Sequence, residues 1–419
     1  MFSGLSENIR KSFLNQTTDI KIYINVIDGE DITPIDEEYI LLDSLEIDSS
    51  ICDSAEFVFG GCIATKCTLQ IINCNLKNLT GKKIQITADF SCVDALYPSE
   101  NLYPSENLFP KDGVFTYSHS LFYGYIDSAN RLKNNRNVIE IIAFDVFYSA
   151  SKVSVYALIQ GIAEHTPNGF TVKSFLENHI IAHFKEKFDC TFDENFNGIN
   201  DDKRLHFNKE NVTTVMNNNT SLLDLLSAYC ELNCCFAYVD TVGMVRFKTL
   251  PTRQQTSNDI VTEYFTLTLE DYETADINKL KLLYDKDKYE TITYSVDNKK
   301  ESWYIADNLL TSCFSSDNNL AIKAMIYGYR NNLDHFENLT DTLIFGNQIS
   351  FKPYEAELYG YWWLELGDKV TVETGFDEDD IQQFSSYVFS KTIKGINGLV
   401  TVISAEGNKT IGKDEITNV

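Results

Sequence analysis

The 419-residue chain has no run approaching the 18 or so apolar residues that a membrane-spanning helix needs. Its start, Met1-Phe2-Ser3-Gly4-Leu5-Ser6-Glu7-Asn8, lacks the basic stretch and following apolar stretch of an export signal. Neither a membrane span nor signal-peptide secretion is therefore expected. Basic residues are scarce too: 35 Lys and Arg stand against 61 Asp and Glu, a net charge of −26. Proteins that hold nucleic acid neutralise phosphates with clustered Lys and Arg, so stable nucleic-acid binding is not expected. The acidic excess serves solubility, or a surface that must not retain DNA. Paired Cys-x-x-Cys elements are missing. The ten cysteines, Cys52, Cys62, Cys67, Cys74, Cys92, Cys190, Cys230, Cys234, Cys235 and Cys313, are scattered. In a chain made in the cytoplasm they read as reduced, partly buried side chains, not as metal or redox groups. Gly-x-Ser-x-Gly, a phosphate loop and Gly-x-Gly-x-x-Gly after a strand are absent as well. With so many carboxylates some acidic pairs lie close by chance, so they do not identify a glycosidase. No catalytic, cofactor-binding or metal residue is assigned, and the chain is expected not to be an enzyme.

What is present is apolar material for several cores: 43 % hydrophobic and 13 % aromatic residues exclude intrinsic disorder. At about 150 residues per domain the length suggests three. Residues 1–150 are β-rich and broken by turns, with strict alternation over Ile20 to Val26 and further strands at Leu69 to Ile72, Ile84 to Ala88 and Val138 to Phe144. Inside this region the phrase Tyr97-Pro98-Ser99-Glu100-Asn101-Leu102 recurs at Tyr103 to Leu108 and decays at Phe109-Pro110. Each Pro bars a central ladder position, so 97–110 reads as a Pro-rich insertion, a protruding loop or a contact surface for a neighbouring protein.

Residues 151–250 change character. Phe175, Leu176, Ile180 and Phe184 recur at helical spacing, as do Leu222, Leu225, Leu226 and Tyr229, with Ser221 as N-cap and Asp224 three residues on. A hairpin follows, Cys235 to Val239 and Met244 to Lys248, turning at Asp240 to Gly243. Pro251 to Asp259 is polar, as a linker is. Residues 251–419 then read mainly as strands, among them Ile292 to Val296, Ala321 to Tyr329 and Asp368 to Ala405, with Trp303 to Leu310 as a short helix. Gly367-Asp368 opens a strand in which Val370 and Val372 alternate with Thr and Glu, and Asn397-Gly398 has the composition of a two-residue hairpin turn.

The order Leu364-Glu365-Leu366-Gly367-Asp368-x-Val370-x-Val372, acidic loop, strand, turn, Gly-Leu, strand resembles the closing barrel of tail and baseplate hub proteins of tailed bacteriophages and phage-tail-like particles. The first region resembles the opening domain of such hubs in phages of Gram-positive hosts. There Leu45-Glu46-Ile47 leads through Ile51-Cys52 to Phe59-Gly60-Gly61-Cys62-Ile63-Ala64-Thr65, then to Leu79-Thr80-Gly81-Lys82, Tyr123-Gly124-Tyr125-Ile126-Asp127 and Ile141-Ile142-Ala143-Phe144-Asp145. The helix and hairpin of the middle region are similar to the family's middle domain. The resemblance implies a mainly β fold with an α+β middle domain (151–250) between two tube-like β-barrel hub domains (1–150 and 251–419). It also implies a homotrimeric, pseudo-hexameric ring. Implied partners are a distal tail or tail tube protein, the tape measure protein and a tip or receptor-binding protein. The implied location is the virion tail tip, assembled in the host cytoplasm, with DNA passing through. Many relatives continue into a tail-associated lysin, whereas this chain ends at Val419, so wall digestion is expected to reside in another polypeptide.

Four constellations invite other readings. His179 and His183 have i,i+4 metal-ligand spacing, yet the intervening Ile-Ile-Ala lacks a zinc protease's general base. Asp193 to Asp201 matches the first nine positions of a calcium loop, but Arg204 stands where the bidentate Glu belongs, which favours a turn. Tyr361-Trp362-Trp363 could stack on sugar, or serve as a barrel packing element or protein interface. Asp377-Glu378-Asp379-Asp380 is a candidate for a channel lining or an outer solvated loop. The rival functions are a carbohydrate-binding adhesin of several β-domains and a peptidoglycan hydrolase.

Overall fold

The computed structural model describes residues 10, 19–52, 58–72, 78–93, 114–165, 169–193, 204–205, 207, 209–233, 235–251, 255–257, 259–274, 279–285, 288–293, 303–313, 350–375, 381–396 and 398–407. The repeat at Tyr97 to Pro110, most of the calcium-like loop, the Asp377 to Asp380 run, the Ala321 to Tyr329 strand, Cys74, Cys234 and the Cys92 side chain lie outside them.

Alternating β-branched residues form the strands of the first region: Asp19–Asp28 (β1), Asp31–Ile35 (β2), Glu46–Ser50 (β3), Lys66–Ile72 (β4), Lys83–Val93 (β5), Val114–Arg131 (β6) and Val138–Phe144 (β7). In β1, Ile22, Ile24 and Val26 point to the core while Lys21 and Tyr23 do not, as a two-residue period requires. These seven strands and four from the far end of the chain make one 11-stranded sheet. Its order is Thr266–Leu269, Tyr354–Tyr359, Val400–Ala405, Ser390–Lys394, β3, β4, β7, β6, β5, β1, β2. All pairings within it are antiparallel.

Several expectations change here. Among the described residues no strand series closes into a barrel; the sheet is open, with β2 and Thr266–Leu269 at its edges. The cause is visible in the register: β3 pairs with Ser390–Lys394 (Ile47 opposite Ile393, Asp48 opposite Thr392), so each region satisfies its edge against the other. The meander also divides. Lys369–Thr374 and Gln382–Tyr387 form a separate three-stranded sheet with Asp259–Val261, while the next two strands enter the large sheet. Those two strands end at Lys394 and resume at Val400, with Gly395 and Gly398 at φ +80° and +140°; Asn397, and with it the expected two-residue turn, lies outside the described residues. Trp303–Asp307 is a strand, parallel to Lys279–Asp285, as its β-favouring Trp-Tyr-Ile run allows; the helix is Leu309–Cys313.

The middle region matches its sequence pattern closely. Helix Leu222–Leu232 starts at a capping box: Asp224 N donates to Ser221 Oγ and Ser221 N to the Asp224 carboxylate. It buries Leu222, Leu225, Leu226 and Tyr229. The helical stretch from Val172 to Lys187 contains a π-helical segment, Leu176–Ile181, and buries Phe175, Leu176, Ile180 and Phe184. Strands Phe236–Val239 and Met244–Lys248 form the hairpin, with Gly243 at φ +88°. Buried apolar residues of all three regions, from Ile22 to Ala405, form one contiguous core cluster.

Candidate functional site

Alternation in the strands of the large sheet sorts their side chains into two faces. On one face Leu358, Thr401, Ile393, Ile47, Cys67, Ala143 and Ile126 are buried, each strand's residue beside the next. The opposite face carries a row Thr268, Glu355, Ser404, Ser390, Ser50 and a row Thr266, Glu357, Val402, Thr392, Asp48, Lys66. All of these are exposed or half-buried. Between the Thr266–Leu269 edge and β3, this surface is built of hydroxyls and carboxylates with few cations. Thr392 Oγ1 donates to Asp48 Oδ1 at 2.8 Å, fixing the seam between the two regions. Of the residues named in these rows, Lys66 alone is a cation that could draw a polyanion.

Behind the face, two joints hold the regions together. At the first, Trp362 enters a slot between β5 and β6: its ring stacks on Phe90 at 4.1 Å and lies 4.8 Å from His119 and 6.0 Å from Tyr117. Gly360 and Tyr361 both adopt left-handed φ, +81° and +53°, to deliver it. For an aromatic residue that conformation is strained by about 1–3 kcal/mol and persists only because the surroundings over-determine it. The buried Lys391 ammonium donates to Trp362 O at 2.8 Å and Leu364 O at 2.6 Å. Burial holds its pKa down at about 8, against Glu365 and Asp368, which pull it up. Burial, with Lys391 adding to it, lowers His119 to about 3. The turn after the slot is pinned by Lys248 Nζ donating to Asp368 Oδ1 at 2.6 Å and by Tyr238 Oη donating to Glu365 at 3.1 Å.

At the second joint, Asp145 ends β7 and caps the helix Val146–Ala150. Its carboxylate accepts from Thr65 N at 2.8 Å and Phe147 N at 2.9 Å. Burial raises it to about 7 in spite of those donors. Gly60 and Gly61 lie beside helix Leu222–Leu232 and strand Phe236–Val239: Gly60 N donates to Cys235 O, and Ser227 Oγ to Gly60 O. A Cβ on Gly61 would lie 1.7 Å from Ile51 O, so only glycine fits. Cys62 and Cys230 face each other across the joint with sulfurs 3.9 Å apart, and burial raises the Cys230 thiol well above its ordinary value.

The residues singled out by sequence fall apart in space. His179 lies against Phe170 and Phe175, with ring centroids at 6.3 and 5.7 Å, whereas His183 faces Glu186. Among the described residues no three His, Cys, Asp or Glu converge as metal ligands. Asp193 accepts from Arg246 Nη1 at 2.8 Å. Tyr361, Trp362 and Trp363 are buried, which favours the packing reading over sugar stacking. His119 and Lys391 were not foreseen. For Lys391 the signal was its parity, two residues before the inward-facing Ile393.

No protein-family model and no curated protein matches the chain. Among solved structures it is similar to the tail protein from Neisseria meningitidis MC58, at 9 % identity and TM-score 0.47 over 94 % of this chain and 98 % of that one. It is similar to the 43 kDa tail protein of prophage MuSo2 from Shewanella oneidensis, at 11 % identity and TM-score 0.46 over 94 % and 98 %. A third likeness is to the phage P2 baseplate in its activated conformation with Ca, at 12 % identity and TM-score 0.25 over 93 % and 100 %. At such identities and TM-scores these likenesses carry no argument about what this chain binds or does.

Proposed function

We propose that the chain is a structural virion protein of a phage tail or tail-like particle. It acts as the hub trimer that joins the hexameric tail tube or distal tail ring to the tip or receptor-binding apparatus and forms part of the DNA conduit. The observation that carries this reading is the single sheet shared by the two ends of the chain, with its hydroxyl- and carboxylate-bearing face. A conduit wall of that chemistry repels phosphate and lets the duplex pass, while Lys and Arg contacts would hold it through counterion release. The hub-like phrases of the sequence fall where this architecture uses them: Phe59-Gly60-Gly61-Cys62 at the second joint, Leu364 to Asp368 at the first. The role is not catalytic. The partners are the tube or ring above, the tape measure protein, and the tip below, with residues 151–250 facing the tip.

Light scattering tests this reading. Three copies of the 47.8 kDa chain make about 143 kDa, and that species is expected alone at micromolar concentration or after mixing with the ring partner. A monomer that persists with the partner present overturns the hub. Retardation of duplex DNA by the purified protein at about 50 mM salt would overturn the conduit. The adhesin reading loses its best candidate, since Trp362 and Trp363 are buried.

A further inference from the structure

The two edges of the large sheet are built differently. β2 reads Asp-Ile-Thr-Pro-Ile, with Asp31 and Pro34 on the strand itself. A charge and a missing N–H are the devices by which proteins close a sheet edge to further pairing. At the other end Thr266–Leu269 reads Thr-Leu-Thr-Leu, with neither. It pairs with Tyr354–Tyr359 on one side, and among the described residues its other side meets no strand. Phe265, just before it, is 59 % exposed.

Beside this edge lies a cavity of about 300 Å³ lined by Thr268, Glu270, Tyr272, Glu355 and Glu406 together with Pro353, Tyr354, Ala405 and Gly407. The three carboxylates are exposed, and no Lys or Arg lines the cavity or pairs with them among the described residues. Strands in a sheet stand about 4.8 Å apart, so a strand added next to Thr268 would place its own side chains about 10 Å from Glu355, within reach of a lysine or arginine that extends over the intervening strand. An acidic side chain there would meet three like charges.

We propose that Thr266–Leu269 is a docking edge for an extended segment of a partner protein that adds a strand by backbone pairing and carries lysine or arginine at alternate positions into the cavity of Glu270, Glu355 and Glu406. Strand addition supplies affinity through main-chain hydrogen bonds, and the pockets for alternate side chains supply specificity. Phe265 provides an apolar contact at the end of the edge. This surface shares Thr268 and Glu355 with the polar face assigned to the conduit, but its test reads the edge and its carboxylates and does not require the trimer.

The test uses the full chain and a capped, fluorescent hexapeptide, Lys-Val-Lys-Thr-Lys-Val, followed by anisotropy at low salt. Three controls accompany it: the same peptide with Glu for Lys, the Lys peptide with methyl groups on its backbone nitrogens, and the Glu270→Gln/Glu355→Gln/Glu406→Gln protein. The Lys peptide is expected to bind with a Kd between about 10 and 500 µM. Each control is expected to weaken it at least about tenfold, because each removes either the charge match or the ladder. The triple variant changes only exposed side chains and keeps the circular dichroism of the parent. No binding by the Lys peptide overturns the proposal. Equal binding by the N-methylated peptide overturns strand addition, and equal binding by the triple variant overturns the site.

Discussion

The joint between the first and third regions and the joint between the first and middle regions solve the same problem with opposite chemistry. The first inserts a large aromatic, Trp362, and buries two bases, His119 and Lys391. The second removes side chains, at Gly60 and Gly61, and buries an acid, Asp145. An aromatic plug tolerates loss of a neighbour better than a backbone-to-backbone contact tolerates a gain, because a void is filled by relaxation while two main chains have no room to yield. Buried groups of opposite charge type also give the two joints opposite responses to pH.

The largest effect is expected from emptying the slot. Trp362→Ala removes a fully packed ring and should cost about 3–5 kcal/mol, seen as a lower urea midpoint. Limited proteolysis should then cut between the third region and the rest, with the middle region still attached to the first. Gly60→Ala is expected to cost about 3 kcal/mol, because its Cβ would lie 2.6 Å from Ser227 O and force the chain away from helix Leu222–Leu232. It should release the middle region instead. If both variants give one cleavage pattern, the joints are not separable and the comparison fails.

Titration sharpens the contrast. His119 falls from 6.5 to about 3 on folding, so between those values the unfolded chain binds the extra proton and stability rises with pH. Lys391, lowered from 10.5 to about 8, makes stability rise again between pH 8 and 10.5. Asp145, raised from 3.8 to about 7, acts the other way: the folded chain holds the proton, and stability falls as pH rises through that window. Each group contributes at most about 1.4 kcal/mol per pH unit. Urea midpoints from pH 4 to 10 should therefore steepen upward between pH 4 and 6.5 in Asp145→Asn and flatten above pH 8 in Lys391→Met. The opposite slopes would assign the buried charges wrongly. The smallest effect belongs to neither joint. Ser404→Lys on the polar face should change stability by less than about 0.5 kcal/mol while increasing retention of duplex DNA at low salt.

What could be read from the sequence was what is local. The capping box at Ser221 and Asp224, the alternation of β1 and β7, and the hairpin around Gly243 each lie within a dozen residues. The pairing of β3 with Ser390–Lys394 could not be read, because five-residue strands carry too little pattern to choose a partner more than 300 residues away. Separate barrels were the natural expectation for strands grouped at both ends of the chain. The aromatic triplet was legible as packing, yet its slot was not, since Phe90, His119 and Trp362 meet only through tertiary structure. Trp303 to Leu310 shows the remaining ambiguity: a short apolar run reads equally as helix or strand until a neighbour supplies a ladder.

The union of β3 with Ser390–Lys394 also sets an order of events in the cell. Asp48 waits for Thr392, 344 residues later in the chain. At roughly 5–20 residues per second of synthesis, that is on the order of 20–70 s during which β3 has no partner on that side. The nascent first region is thus exposed, on every ribosome, to pairing with other chains, and a neighbour on the same messenger RNA is the nearest one. Yield of soluble protein should depend on translation speed between the codons for Asp48 and Thr392 more than on the stability of the finished fold.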